Sequence, residues 1–229
     1  MEATAVLDAL FRWIHIVAGI IWIGLLYFFN FVNGPFAATM DGPTKQKVVP
    51  ELMPRALFWF RWGAAWTWVT GVLLLLIVFW HGGLMFPAGR GWSLLAVLMI
   101  LVTFFVAALY DVLAKSGWGK DLRLLAGVGW ALAVLVILGY LGASFSYRAY
   151  VIHTGAMFGT IMAFNVWMRI WPAQRQIITA TKQGTAPDPA LVALAGARSR
   201  HNTYLSVRSE ERRVGKECRS RWSPPSGSS

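Results

Sequence analysis

The sequence predicts an all-α, polytopic transmembrane helical bundle of five complete helices plus the start of a sixth, with its N-terminus outside. Three observations carry that fold class. Of 229 residues, 57% are hydrophobic and only 14% charged, more apolar surface than a soluble domain of this size can cover with polar groups. Five runs, at about 9–31, 57–80, 92–113, 122–143 and 149–171, reach the roughly 20 apolar residues that cross a hydrocarbon core of about 30 Å. The lysines and arginines also divide unevenly between the two sets of loops.

The first run is too long for a secretory signal and no small-residue cleavage pattern follows it, so it is expected to remain as helix one. The segment 32–56, containing "NGPFAATMDGP", is expected as a long inner loop. Helix two opens on "FWFRWGAAWTW", an aromatic belt with Arg55 and Arg61 at the headgroups, and gives way to "HGGLMFPAGRG". Helix three leads into the turn "KSGWGKD"; Asp111 and Lys115 stand four residues apart there and are expected to form an interfacial ion pair. Helices four and five follow, and the polar stretch 172–200 is expected on the inner side before "RHNTYLSV" starts a sixth helix. Gly19, Gly24, Gly127 and Gly129 are expected to permit close helix contacts.

Charge sets the orientation. Lys45, Lys47, Arg55, Arg61, Lys115, Lys120, Arg123, Arg169, Arg175, Lys182, Arg198 and Arg200 fall on one side, whereas only Arg12, Arg90 and Arg148 fall on the other. The richer side is the inner one, so a multi-pass protein of a bacterial-type inner membrane is expected, N-terminus outward. The net charge of +11 is then largely topology. Basic residues dealt out among loops do not form the clustered face of a nucleic-acid reader; the bilayer, and no nucleic acid, is the expected partner.

Residues 1–207 are expected as one transmembrane domain, incomplete at its C-terminal end. The charged, Ser/Pro-ended stretch 208–229 breaks from it abruptly and has a disordered composition. Arg208 to Pro224 resembles the translation of a common short-read sequencing adapter, so the natural chain is expected to continue differently past Val207. Cys218, the only cysteine, lies in that tail, and the chain holds no C-x-x-C-H for covalent haem.

Ionisable groups inside apolar runs carry the functional expectation, because an intramembrane charge costs about 3 kcal/mol on insertion scales and normally faces a partner in the bundle interior. Counted from Leu10, His15 falls about 8 Å below the outer face, and His153, counted from Ala149, about 6 Å. His81 closes helix two at the same face, while His201 belongs to the inner end of the incomplete sixth helix. Imidazoles projecting from different helices into a bundle core supply what axial ligation of a b-type haem requires: a neutral nitrogen held in a fixed direction. A histidine near the interface also satisfies itself on a neighbouring carbonyl, and Arg12, on the face of His15, also suits a lipid phosphate; both alternatives stay open. Asn165 and Thr154, nearly on one face of helix five, could present hydrogen bonds to a ligand or join helices. The chain contains no Walker-type loop, no Cys/His metal spacing, no nucleophile elbow and no clear inverted repeat.

The segments "FRWIHIVAGIIWIGLLYFFNFVNGPF", "VVPELMPRALFWFRWGAAWTWVTG", "VIHTGAMFGTIMAFNVWMRIWPAQ" and "ARSRHNTYLSV" resemble, in order and spacing, the N-terminal membrane domain of the membrane-integral, cytochrome c-linked urate oxidase (urate hydroxylase) family. "WIHIVAGIIWIG" alone is also similar to first helices of the copper-resistance D-like and membrane protoporphyrinogen oxidase groups. The urate oxidase resemblance implies oxidation of urate to 5-hydroxyisourate, with electrons passed to a cytochrome c, fused or separate. It carries the cofactor-binding expectation onto His15, His153 and His201; the cofactor expected from the imidazole placement is haem b, with its iron on His15 and His153. Arg12, Asn165 and Asn202 are then the expected polar contacts to substrate or propionate. The alternative is a non-catalytic b-haem electron-transfer subunit or a small-solute permease; only the permease would keep its function with both histidines replaced.

Overall fold

The computed structural model describes residues 3–116 and 122–207. The regular elements described are all helical: α1 (Ala3–Tyr27), α2 (Gly34–Thr39), α3 (Gly42–Leu74), α4 (Leu94–Lys115), α5 (Leu122–Gly142), α6 (Tyr147–Asn165), α7 (Trp171–Lys182) and α8 (Pro189–Val207). A π-helical segment, Phe28–Asn33, joins α1 to α2; a second, Leu75–His81, extends α3; a third, Val166–Ile170, joins α6 to α7. Four continuous rods, Ala3–Thr39, Gly42–His81, Leu94–Lys115 and Tyr147–Lys182, are long and apolar enough to cross a membrane. The fourth expected span corresponds to α5, whose described apolar part, Gly127–Gly142, is shorter. The architecture is the all-α polytopic bundle that composition predicts.

The helices do not end where their apolar runs end, and here the sequence expectation is corrected. Gly42–His81 is 40 residues long, or about 60 Å at the α-helical rise, twice the hydrocarbon thickness. The expected inner loop 32–56 is therefore mostly helix, interrupted at Met40 and Asp41. Asp41 restarts it: its carboxylate accepts the Thr44 N–H at 2.8 Å, and a proline stands in the first turn. Pro50 and Pro54 lie inside α3. Each removes a backbone donor, but both fall in the polar half of the rod, where water can serve the orphaned carbonyls. The stretch 172–200 is likewise α7 and the first half of α8, so the sixth expected helix begins at Pro189 and not near His201. A polar helix carries no span signal, which is why length of apolar run could not place these elements. The turn residues 117–121 and the tail 208–229 lie outside the described residues.

α1 runs antiparallel to α3, because His15 faces Gly71, Gly19 faces Thr67, and Ala18 and Trp22 face Gly63. A Cβ on Gly63 would stand 3.2 Å from the Ala18 carbonyl oxygen and the Trp22 nitrogen, so this glycine sets how closely the two rods approach. α6 is also antiparallel to α3: Trp68 Nε1 donates to Thr160 Oγ1 at 3.0 Å, and Trp167 Nε1 donates to the Arg61 carbonyl at 3.0 Å. Two cores result. The first joins Trp22, Leu26, Leu57, Phe60, Val166 and Ile170. The second joins Leu75, Phe79, Met85, Met99, Tyr140 and Phe145. Trp13, Ile20, Leu94, Phe105 and Val112 each point outward, more than 60% exposed, as expected of side chains that meet lipid. Beyond the apolar slab, the polar half of α3 packs on α7 and α7 packs on α8, forming a cap at one end of the bundle.

Candidate functional site

At the end of the bundle away from the cap, Ser146 fixes the start of α6. Its Oγ accepts the Ala149 N–H at 3.2 Å and donates to the Leu84 carbonyl at 2.8 Å. About two turns later, His153 is fully buried. Its Nδ1 donates to the Ala149 carbonyl at 2.7 Å, which leaves Nε2 as the acceptor for Trp80 Nε1–H at 3.0 Å. Phe79, Trp80, Tyr140 and Phe145 pack their rings around the imidazole. No charge touches it among the described residues.

His15 leans on α3 from the other side. Its Nδ1 lies 3.2 Å from Thr70 Oγ1, and that hydroxyl donates to the Trp66 carbonyl at 2.6 Å. With the hydroxyl hydrogen committed, Nδ1 is the donor and Nε2 carries the lone pair. Because α1 starts at Ala3 and not near Leu10, His15 stands twelve residues into its helix, about 18 Å from the end. His153 stands six residues into α6, about 9 Å. No hydrogen bond or ring contact joins the two histidines; what they share is α3. Both anchor Nδ1–H on protein, the tautomer that a ligating histidine takes, although Nε2 of His153 already accepts from Trp80. Each tautomer would suit a b-type haem held through Nε2, at His153 only with the Trp80 bond given up. Arg12, by contrast, is tied to Asp8 at 2.8 Å on its own helix and its side chain is half exposed. His81 is exposed at the end of the α3 extension.

His201, Asn165 and Asn202 come together toward the cap, apart from the other histidines. Asn165 Nδ2 donates to Asn202 Oδ1 at 2.9 Å, and Asn202 Nδ2 donates to the Met162 carbonyl at 3.0 Å. Tyr110 Oη lies 2.6 Å from His201 Nδ1. Thr154 does not join them; its hydroxyl caps the Tyr150 carbonyl of its own helix at 2.8 Å.

The largest feature here is one that sequence reasoning missed. Asp111 is buried and pairs not only with Lys115 at 2.8 Å but with two arginines from distant helices. Arg198 Nη2 reaches it at 2.9 Å, and Arg169 grips both carboxylate oxygens in a bidentate pair. The Arg198 guanidinium, itself 3% exposed, also lies 5.1 Å from the Tyr110 ring centroid. One carboxylate therefore serves three cations, leaving the cluster with excess positive charge. The i, i+4 spacing exposed the Lys115 partner, but no local spacing pointed to Arg169 or Arg198.

No curated protein and no solved structure matches the chain. A family model described as "Urate oxidase N-terminal" matches residues 39–208, about three-quarters of the chain. That match takes in α3, α4, α6 and α8, and with them His153, Asp111 and the polar cluster; the chain belongs to the urate oxidase N-terminal family.

Proposed function

We propose that this chain is the membrane part of an enzyme that oxidises urate to 5-hydroxyisourate and passes the electrons to a c-type cytochrome. The observation that carries this reading is the family membership over residues 39–208. The reaction balances as urate plus water giving 5-hydroxyisourate, two protons and two electrons, the electrons leaving one at a time to two cytochromes. His15 and His153 would hold a haem b through Nε2, and such a group supplies one-electron transfer between a two-electron donor and a one-electron acceptor. The chain's own residues prepare for it. Ala149 and Thr70 fix the tautomers of His153 and His15, and the ring shell about His153 excludes water. The bias of basic residues supports an orientation in a bacterial-type inner membrane with the cap on the inner side and the His153 end outward, the side from which a cytochrome c would accept electrons.

The test is anaerobic reduction of added ferricytochrome c by the purified protein in detergent, with and without urate. Urate-dependent reduction, lost in His153→Leu while the protein stays monodisperse, is the expected result. A folded protein that reduces no cytochrome c with urate, and is indifferent to His153→Leu, contradicts it.

A further inference from the structure

Where α1 passes through its π-helical segment into α2, a cavity of about 460 Å³ opens between that segment, α3, the α6–α7 junction and α8. Its size lies within the range of about 300–1,000 Å³ typical of small-molecule sites. The two π-helical segments Phe28–Asn33 and Val166–Ile170 both reach it, and such segments turn side chains off the regular helical register, frequently at functional sites.

The polar groups on its wall are unevenly satisfied. Asn30 Nδ2 donates to the Leu26 carbonyl at 2.9 Å and to Ser199 Oγ at 2.8 Å, so its Oδ1 is left as an acceptor without a partner among the described residues. Ser199 Oγ accepts that bond and keeps its own hydrogen to give. Asn33 meets only the Met53 sulfur, at 3.6 Å. Gln174 and Arg200 have no hydrogen bond or ion pair among the described residues, and no carboxylate lines the cavity. Phe29, Phe60 and Tyr204 supply apolar ring surface. Two residues from Arg200, Arg198 shares Asp111 with Arg169 and Lys115, so no local negative charge offsets the Arg200 guanidinium.

That set reads as a complement. Ring N–H groups need the amide oxygens of Asn30 and Asn33; ring carbonyl oxygens need the amide and hydroxyl hydrogens of Gln174 and Ser199; a delocalised negative charge suits a planar guanidinium, and flat apolar faces suit the rings. We infer that this cavity is the recognition site for a planar, amide-bearing heteroaromatic anion, which is urate if the function proposed above holds. The site borders Ile170, seventeen residues along from His153, or roughly 25 Å at the α-helical rise. The cavity therefore lies apart from His153, and losses in it are expected to raise KM more than they lower kcat.

The experiment is equilibrium binding of radiolabelled urate to the full chain in detergent, with inorganic phosphate as competitor. Arg200→Gln is expected to weaken binding about tenfold or more, the worth of a charge-assisted hydrogen bond, and Gln174→Leu to weaken it severalfold. Arg55→Gln, on an exposed ion pair of α3, leaves it unchanged, and phosphate does not compete. Urate binding that survives both cavity variants, or that phosphate displaces equally well, overturns the cavity and leaves the urate reading standing. A wild-type chain that does not bind urate contradicts the urate reading instead. The same variants are then measured with orotate and xanthine: binding of either that Arg200→Gln removes keeps the cavity, and binding of neither overturns it.

Discussion

His153 and Asp111 are both buried ionisable side chains on neighbouring helices, and the bundle treats them in opposite ways. His153 sits among four aromatic rings with one bond from Trp80 and one to Ala149, and no charge touches it. Asp111 meets Lys115, Arg169 and Arg198 from three different helices. The first arrangement holds an imidazole in one orientation, each ring nitrogen bonded, inside a shell of aromatic rings. The second consumes every lone pair of the carboxylate and locks α4, α6–α7 and α8 in register. Two buried ionisable groups of one bundle are thus satisfied differently, His153 by uncharged partners and Asp111 by a cross-helix ion cluster.

The largest effect expected from breaking that contrast is at Asp111. Asp111→Asn strands Arg198 in the interior, and losing one partner of a buried pair costs about 3–5 kcal/mol. The thermal midpoint in detergent should fall further than for any other variant described, and Arg198→Met added to Asp111→Asn should recover part of the loss, because the uncompensated charge is gone. A melt of Asp111→Asn indistinguishable from wild type would show that the two arginines are satisfied elsewhere.

Next comes Gly71→Ala. A Cβ there would stand 3.1 Å from His15 Cε1, so the ring must shift by a few tenths of an ångström against Thr70, at a cost of about 1 kcal/mol for overpacking. If His15 is an axial ligand, the absorption and electron paramagnetic resonance signature changes with it; lost stability with an unchanged signature assigns His15 to helix packing. Trp80→Phe is milder, about 0.5–1.5 kcal/mol for one hydrogen bond. It frees His153 Nε2: if that nitrogen holds a haem, the reduced-minus-oxidised spectrum is kept, and if the Trp80 bond is only structural, the variant shows a lower thermal midpoint and nothing else.

How much of this was legible in the sequence follows from what each signal measures. Apolar run length located the rods of α1, α3, α4 and α6, because the bilayer sets a minimum span. It could not locate residues 42–56, α7 or the first half of α8, since a helix that continues into water has polar composition and, in α3, two prolines. Asn165 and Asn202 were identified singly as candidate contacts, and the structure makes them each other's partner. The link from Arg198 to Asp111 spans 87 residues, and no local spacing announces it. Trp80 in "FWHGG" was invisible for the same reason: its donor bond to His153 depends on how α6 lies against α3.

The smallest effect sits in the cap. Hydrogen bonds from Thr44 hold the exposed Asp41 carboxyl below its ordinary value. A lowered folded-state pKa stabilises above the ordinary carboxylate range, and that contribution fades as pH drops from about 4 through the lowered value. Amide exchange at the start of α3 should accelerate over that window while exchange around His153 does not, and Asp41→Ala should remove the pH dependence.

The most direct measurement is the dithionite-reduced minus oxidised absorption spectrum of the protein purified in detergent, taken on wild type, His15→Leu and His153→Leu. A b-type haem spectrum is expected in wild type, lost or altered in both variants. A colourless, well-folded wild-type protein, or a haem spectrum untouched by either substitution, would contradict it.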